Sequence, residues 1–513
     1  MSSTTAGALA IACVVGAATL LYAPGSSRPP YPPGPRRKPL IGNVLDMPTQ
    51  APEATFMQWR ERYGDVVHLE IFGKHMIILN TFEAAQDLME RRSAIYSDRP
   101  RFVMLAELMG WGNATTHVHY GPRFRKHRRF VQQVLNQKAV DSMTPLELRQ
   151  TAIVLDNLLK TPDNWMDHIK GFAAGTMLKV AYGHDVASVD DPLVKIVDHA
   201  STLTVQIGNM YPISNLVEFF PSMKKLPTWA PLAGFKRQAE EVRQAVDEMM
   251  NLPFEQVRQQ MSAGTAQPSF TARMLEQYTA TGKGTLSQED EDDIRGAAGT
   301  LFAAAEDTTT CMAEVFMLAM VLHPEVYAKV QEEIDRVVGP DRLPTFEDRP
   351  LMPYFECVVK ECYRWNVPVP LAIPHRLMQD DIYKGYLIPE DAFVIPNIYA
   401  MLYDCENPHQ FRPERYLENP NLRDPRDCVF GFGRRRCPGR HLADAALWLL
   451  NSRISTVFSI EKARDETGAE ITPSSEFSTG FVRHPKPFQC SMKPRSEQAL
   501  RLVQNALLET QAV

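Results

Sequence analysis

The sequence predicts a mainly α-helical protein with minor β structure, folded as a single large domain about one long central helix. Three observations predict it. Helical periodicity dominates from Phe82 to Met378. The segment "SQEDEDDIRGAAGTLFAAAEDTTTCMAEVFMLAMVLHP" reads as one helix of roughly 35 residues, about 50 Å long at 1.5 Å per residue. Strand-like pieces are confined to "VVHLEIFGKHMIILN" near the start and to proline-rich stretches towards the C-terminus. No internal repeat, low-complexity tract or second linker divides the 513 residues.

At the N-terminus no charged residue occurs before Arg28, and Gly7 to Ala23 form an apolar run just long enough to cross a bilayer. A signal peptide is the rival reading. No lysine or arginine precedes the run, whereas Arg28, Arg36, Arg37 and Lys38 follow it, which favours an anchor over residues 1–27 (helix about 7–23) with the body on the cytoplasmic side. The prolines of residues 28–39 forbid helix and make a stiff basic hinge, so the folded domain is 40–513.

Within the domain, Val66 to Asn80 alternate about a Gly-Lys turn and read as a hairpin. The central helix starts at a capping box-like Ser287 with Asp290 and stops at Pro324. From Gly296 it is apolar on nearly all sides, yet Glu306, Asp307, Thr308, Thr309 and Thr310 interrupt it with acids and hydroxyls that need partners or a purpose. Threonine hydroxyls bonding back to carbonyls one turn earlier, Thr308 to Ala304 for instance, are one reading. A pocket beside the small Ala303, Ala304 and Ala305 is the other. Glu361 and Arg364, three apart on a later helix, are a surface pair or, with Arg415 of "FRPERYL", a buried carboxylate shared by two arginines.

Function is narrowed by charge and cysteine content. A net charge of −6 gives no global pull towards nucleic acid. Eight cysteines with no CxxC pair suggest neither a zinc site nor a disulfide framework, and fit a reducing compartment. In "FGFGRRRCPG" two glycines permit a tight loop, and a helix after Gly439 puts Cys437 at its N-terminus, where the dipole and nearby arginines favour thiolate. Such a sulfur suits a soft or redox-active metal centre, haem iron among them. A basic localisation run and an ordinary structural cysteine are the alternatives.

These residues carry a resemblance. "FGFGRRRCPG" is similar to the FxxGxRxCxG haem-binding loop of the cytochrome P450 superfamily, "ECYR" to its ExxR, "PERY" to its later arginine motif and "AAEDTT" to its oxygen-activation segment, all in the family's order. The anchor and hinge resemble endoplasmic-reticulum members, and the texture resembles fungal secondary-metabolism enzymes. The resemblance implies the P450 fold around a buried haem b, with Cys437 as axial ligand and Glu361, Arg364 and Arg415 as a structural triad. It also implies Arg99, Arg128, His375 and Arg435 as propionate partners, and Asp307 and Thr308 as the pair that delivers protons to oxygen. Phe124 and Ala305 stand where the family commonly has tryptophan and glycine.

By the same resemblance the chain is expected to be a monooxygenase of the endoplasmic-reticulum membrane, fed by NADPH-cytochrome P450 reductase, with cytochrome b5 as an optional second donor, acting on a lipophilic molecule such as a terpenoid. The reductase would meet Arg125, Lys126, Arg128, Arg129, Arg434 and Arg440, and the substrate would be lined by 102–111, Ala304, 369–373 and 477–481. A haem-thiolate isomerase or peroxygenase, which commonly lacks the acid-alcohol pair, and a non-catalytic haem sensor are the alternatives.

Overall fold

The computed structural model describes residues 29–186, 190–208, 216–231, 233–280 and 286–511. The apolar run read as an anchor lies outside them. Among the described residues no single helix is long and apolar enough to cross a membrane.

Six helices position the site: α1 (Pro122–Leu135), α2 (Trp165–Tyr182), α3 (Gln288–Leu322), α4 (Pro353–Trp365), α5 (Arg440–Val457) and α6 (Glu497–Gln511). The long helix α3 has the expected limits. The Ser287 hydroxyl accepts from the Asp290 amide at 3.1 Å, the acids Glu289, Asp290 and Glu291 occupy the first turn, and the next helix begins at Pro324. Its two halves belong to two cores. Ile294 to Phe302 pack in one with Phe130, Met177 and Met250, and Cys311 to Val321 in the other with Trp165, Phe355 and Trp448. Gly296 is required for close packing: a Cβ there would lie 2.1 Å from the Asn113 carbonyl oxygen, so only glycine lets α3 support the loop ahead of α1.

The hairpin of strands β1 (Val66–Ile71) and β2 (Lys74–Leu79) forms, with its turn at Phe72-Gly73 instead of the expected Gly-Lys pair, since Lys74 already pairs with Ile71. Phe72 and Gly73 both have positive φ, +48° and +80°, as a two-residue turn with right-handed strand twist requires. Past it come β3 (His375–Arg376), the hairpin β4 (Asp381–Tyr383) and β5 (Tyr386–Ile388), and β6 (Phe393–Pro396). The main sheet has the order β1-β2-β6-β3, with β2 and β6 parallel. A second sheet, β8-β7-β9, is built from β7 (Phe458–Arg464), β8 (Glu470–Ile471) and β9 (Cys490–Pro494). Helix α6 follows these strands and departs from the strand-rich ending the sequence suggested. Its apolar positions Ala499, Leu502 and Val503 recur at helical spacing and are buried.

Candidate active site

Cys437 closes a loop that enters α5. Gly431 and Gly433 have φ of +74° and +58°, and a Cβ on Gly433 would stand 2.1 Å from the Met89 carbonyl oxygen, so the loop can seat only with glycine there. The Cys437 amide donates to the Phe430 carbonyl at 2.8 Å, which turns the chain back on itself. Burial pushes the Cys437 thiol up, against the amides of Gly439 and Arg440 and the guanidiniums of Arg128 and Arg440, which pull it down. Desolvation thus opposes the thiolate that these donors favour. A bound cation would reverse the balance, because the anion is then paired.

Above this loop lies a cluster of cations. Arg99 is buried and donates to the carbonyls of Thr116 at 2.9 Å, Ile373 at 2.7 Å and Pro374 at 2.9 Å. Arg435 donates to the carbonyls of Ser97 at 2.8 Å and Val118 at 2.7 Å, and its guanidinium lies 3.6 Å over the Phe124 ring. Phe124 thus supplies a π face where an indole would have supplied a donor. His375 Nδ1 is 2.6 Å from the Tyr96 carbonyl oxygen, so that nitrogen carries the proton. Arg99, His375 and Arg435 repel one another, and Arg435 also repels Arg128, which attracts Cys437. Burial, with this repulsion added, holds Arg99 and His375 well below their ordinary values and Arg435 down to about 10.

Asp98 offsets part of that charge, but its carboxylate is already bonded to Arg376 and the Tyr120 amide. Among the described residues, Arg99, Arg128 and Arg435 form no ion pair. Three partly or wholly buried guanidiniums without a carboxylate are costly unless an anionic group joins them. The four expected propionate partners and Cys437 thus form one site, suited to a group that carries carboxylates and an electrophilic metal. His117 belongs to it as well. It packs edge-on against Phe102, and burial together with Arg99 and Arg435 lowers it to about 3. Nothing in the local sequence marks this histidine.

Behind the loop the three residues expected as a triad meet. Glu361 takes a bidentate contact from Arg364 (Nε 2.8 Å, Nη2 2.9 Å), the Arg415 Nε at 3.1 Å and the Arg412 amide at 2.8 Å. The two arginines reach on to the carbonyls of Glu406, Pro408 and Gln410. The pair is no surface bridge: it organises the irregular segment around those carbonyls.

On α3, Ala304 is exposed and Ala303, Ala305, Asp307, Thr308 and Thr309 are half-buried, although the turns on either side are buried. Helix α3 runs unbroken through Ala305. The Thr308 hydroxyl donates to the Ala304 carbonyl at 2.9 Å, leaving its oxygen lone pairs as acceptors. Asp307 is drawn elsewhere, to His484 Nε2 at 2.9 Å. The other ring nitrogen of His484 lies 2.8 Å from Glu314. Burial opposes charge on this ring, but the bonds to Asp307 and Glu314 outweigh it and push His484 up to about 10. Glu306, buried beside Asp307, is pushed up to about 8. His484 is separated from its partners by more than 150 residues, so no local motif could have found it.

Of the basic residues expected to meet an electron donor, Arg125 and Arg129 are exposed. Lys126 departs from that reading, since its ammonium is taken up by Asp290 at 2.5 Å and Asp293 at 2.7 Å.

The profile of the family described as Cytochrome P450 matches residues 32–492. Among similar proteins, Cytochrome P450 monooxygenase 176 of Postia placenta is 40% identical over 489 residues, covering 94% of this chain and 93% of the relative. Cytochrome P450 monooxygenase claR of Ampulloclitocybe clavipes is 42% identical, covering 94% and 90%. Tryptamine 4-monooxygenase of Psilocybe cyanescens is 39% identical, covering 93% and 95%. With a loop-borne cysteine at a helix N-terminus, a buried cationic cluster and a match over nearly its whole length, the chain belongs to the cytochrome P450 family of haem-thiolate monooxygenases.

Proposed function

We propose that the protein inserts one oxygen atom from O2 into a lipophilic small molecule of fungal secondary metabolism, such as a terpenoid, using electrons from NADPH through a cytochrome P450 reductase. The observation that carries the reading is the set formed by Cys437 and the cations Arg99, Arg128 and Arg435, which form no ion pair among the described residues. When bound, the haem supplies the oxygen-activating chemistry that a protein side chain cannot.

The residues do the rest. The Cys437 sulfur would ligate the haem iron, with the Gly439 and Arg440 amides directed at it. Arg99, Arg128, Arg435 and His375 would hold the haem carboxylates, so that otherwise costly charges would neutralise one another on binding. Thr308, whose hydroxyl hydrogen is committed to Ala304, accepts a hydrogen bond from water at its oxygen, and Asp307 moves protons to that water. Residues 102–111, Ala304, 369–373 and 477–481 would line an apolar substrate space, Phe477 packing edge-on against Trp365. The relative named tryptamine 4-monooxygenase supports oxidation of a small molecule only as an analogy.

The hinge and a membrane anchor over residues 1–27 complete the proposal, with the domain facing the cytoplasm at the endoplasmic reticulum. Exposed Leu40 and Phe220 support it: Leu40 precedes a bridge between Gly42 and Ile71, and Phe220 packs on Phe72 in the adjoining turn, giving an apolar patch where the hinge meets the body.

The test is spectroscopic. The reduced, CO-bound protein is expected to show the red-shifted Soret band of thiolate ligation, and Cys437→Ala to lose it. A band retained in the variant refutes the assignment.

A further inference from the structure

Most of the Asp307 environment is made by a part of the chain remote from α3. His484 sits in the C-terminal loop between Phe477 and Phe488, and it contacts one face of α3 at two points about two turns apart, Asp307 and Glu314. The loop is held against the helix independently: the Arg483 carbonyl accepts from Asn366 at 2.7 Å and from the Cys311 thiol at 3.3 Å, and the Arg483 amide donates to Pro368 at 2.8 Å. His484 and Glu314 also line an open cavity of about 1120 Å³, together with Phe477, Trp365 and Tyr399. Solvent therefore reaches the ring, which is 27% exposed.

We propose that His484 is the positioning residue of Asp307, tethering the α3 carboxylate to the C-terminal loop so that proton delivery at Thr308 depends on that loop. The inference rests on the monooxygenase reading above. Its physical content lies in the count of charges. Two carboxylates, Asp307 and Glu314, bond to one imidazole with Glu306 close by, and among the described residues Arg483, Lys170 and Lys486, the last paired with Glu476, also bring positive charge to this region. Lys170, on α2, is engaged by Asp198 and attracted by Glu306 and Asp307. The ring is therefore the main counter-charge that Asp307 touches, and Glu314 fixes its plane.

The same geometry makes His484 a poor proton donor. An imidazolium clamped by two carboxylates keeps both protons near neutral pH, so it orients Asp307, and the proton that Asp307 passes on is replaced from water. Because Phe477 is on the same loop as His484, packing of substrate against Phe477 and the orientation of Asp307 are mechanically linked.

The experiment uses the full-length haem protein. With ring-¹⁵N histidine in the diamagnetic ferrous-CO form, the His484 signal, assigned by its loss in His484→Gln, is expected to remain that of imidazolium from pH 6 to 8.5. In Glu314→Gln, which keeps the Asp307 contact, it is expected to titrate at lower pH. With reductase and a turned-over substrate, His484→Gln is expected to lower product per NADPH several-fold at unchanged substrate affinity. Glu314→Gln is expected to make that ratio fall as pH rises through the ring's new titration point, where the wild type stays flat. A neutral ring at pH 7 in the wild type overturns the proposal, as does unchanged coupling in a folded His484→Gln. Should that variant not fold, a pH-independent ratio in Glu314→Gln overturns it alone. Absence of any NADPH-dependent product in the wild type counts against the monooxygenase reading instead, and the NMR result then stands or falls by itself.

Discussion

Replacing Glu361 by alanine is expected to be among the most damaging single changes in the chain, and the structure says by how much. The carboxylate accepts four bonds, three from guanidinium nitrogens and one from the Arg412 amide. Arg364 and Arg415 are only 3% and 6% exposed, so the variant leaves two buried cations uncompensated. An exposed pair would be worth about 0–1 kcal/mol, whereas removing one partner of a buried pair costs about 3–5 kcal/mol. The remaining carbonyl partners of both arginines keep the cost towards the lower end. At about 2 °C per kcal/mol for a large domain, the melting temperature should fall by roughly 6–10 °C. Scanning thermal unfolding of the haem-loaded protein, alongside haem content per chain, measures it. A variant that melts within a degree of the wild type, with full haem, would refute the view that Glu361 organises this region. Replacing Glu361 and Arg364 together by apolar residues of similar volume should cost less than Glu361→Ala if the uncompensated charge is the cause.

Thr308→Ala is expected to leave haem and substrate binding intact, while NADPH consumption continues, product per NADPH falls and peroxide rises; unchanged coupling would remove Thr308 from proton delivery. Glu147 is fully buried with neither carboxylate oxygen hydrogen-bonded, and burial raises it to about 8. Its native state prefers the proton, so the stability it contributes is present below the unfolded value near 4.5 and lost as pH rises through about 8. Glu147→Gln should therefore match the wild type near pH 4 and exceed it at pH 9 by up to about 5 kcal/mol, measured by urea unfolding at both pH values. Deleting Met1 to Ser27 should release much of the protein from membranes in fractionation and leave the Soret spectrum intact; loss of all folded haem protein would contradict a modular anchor.

Much of the site was legible because it is written in local sequence. The long helix announces itself by caps and periodicity, and Cys437, Arg435 and the glycines lie within one short loop whose backbone demands are visible in the residues. Glu361 and Arg364 are likewise neighbours on one helix. What could not be read were meetings of distant segments. The bond of Asp307 to His484, the stacking of Arg435 on Phe124 and the inclusion of His117 depend on how loops return to helices. The surroundings of Cys437 were half legible for a related reason: the dipole and neighbouring arginines can be inferred from order along the chain, whereas the burial that opposes them is a property of the folded whole.

The parallel pairing of β2 with β6 has a consequence for the nascent chain. Met76 aligns with Phe393 and Leu79 with Pro396, so β2 meets its partner only after more than 300 further residues have been made. At about 5–20 residues per second that is a wait of roughly 15–60 s on the ribosome. Throughout it, Ile77, Ile78 and Leu79 lie on a hairpin whose outer edge has no strand to pair with, an invitation to association with other chains. The delay gives a chaperone that binds short apolar strands a defined target and a defined interval. Production of this enzyme should accordingly be limited less by its finished stability than by how well that early hairpin is shielded until β6 arrives.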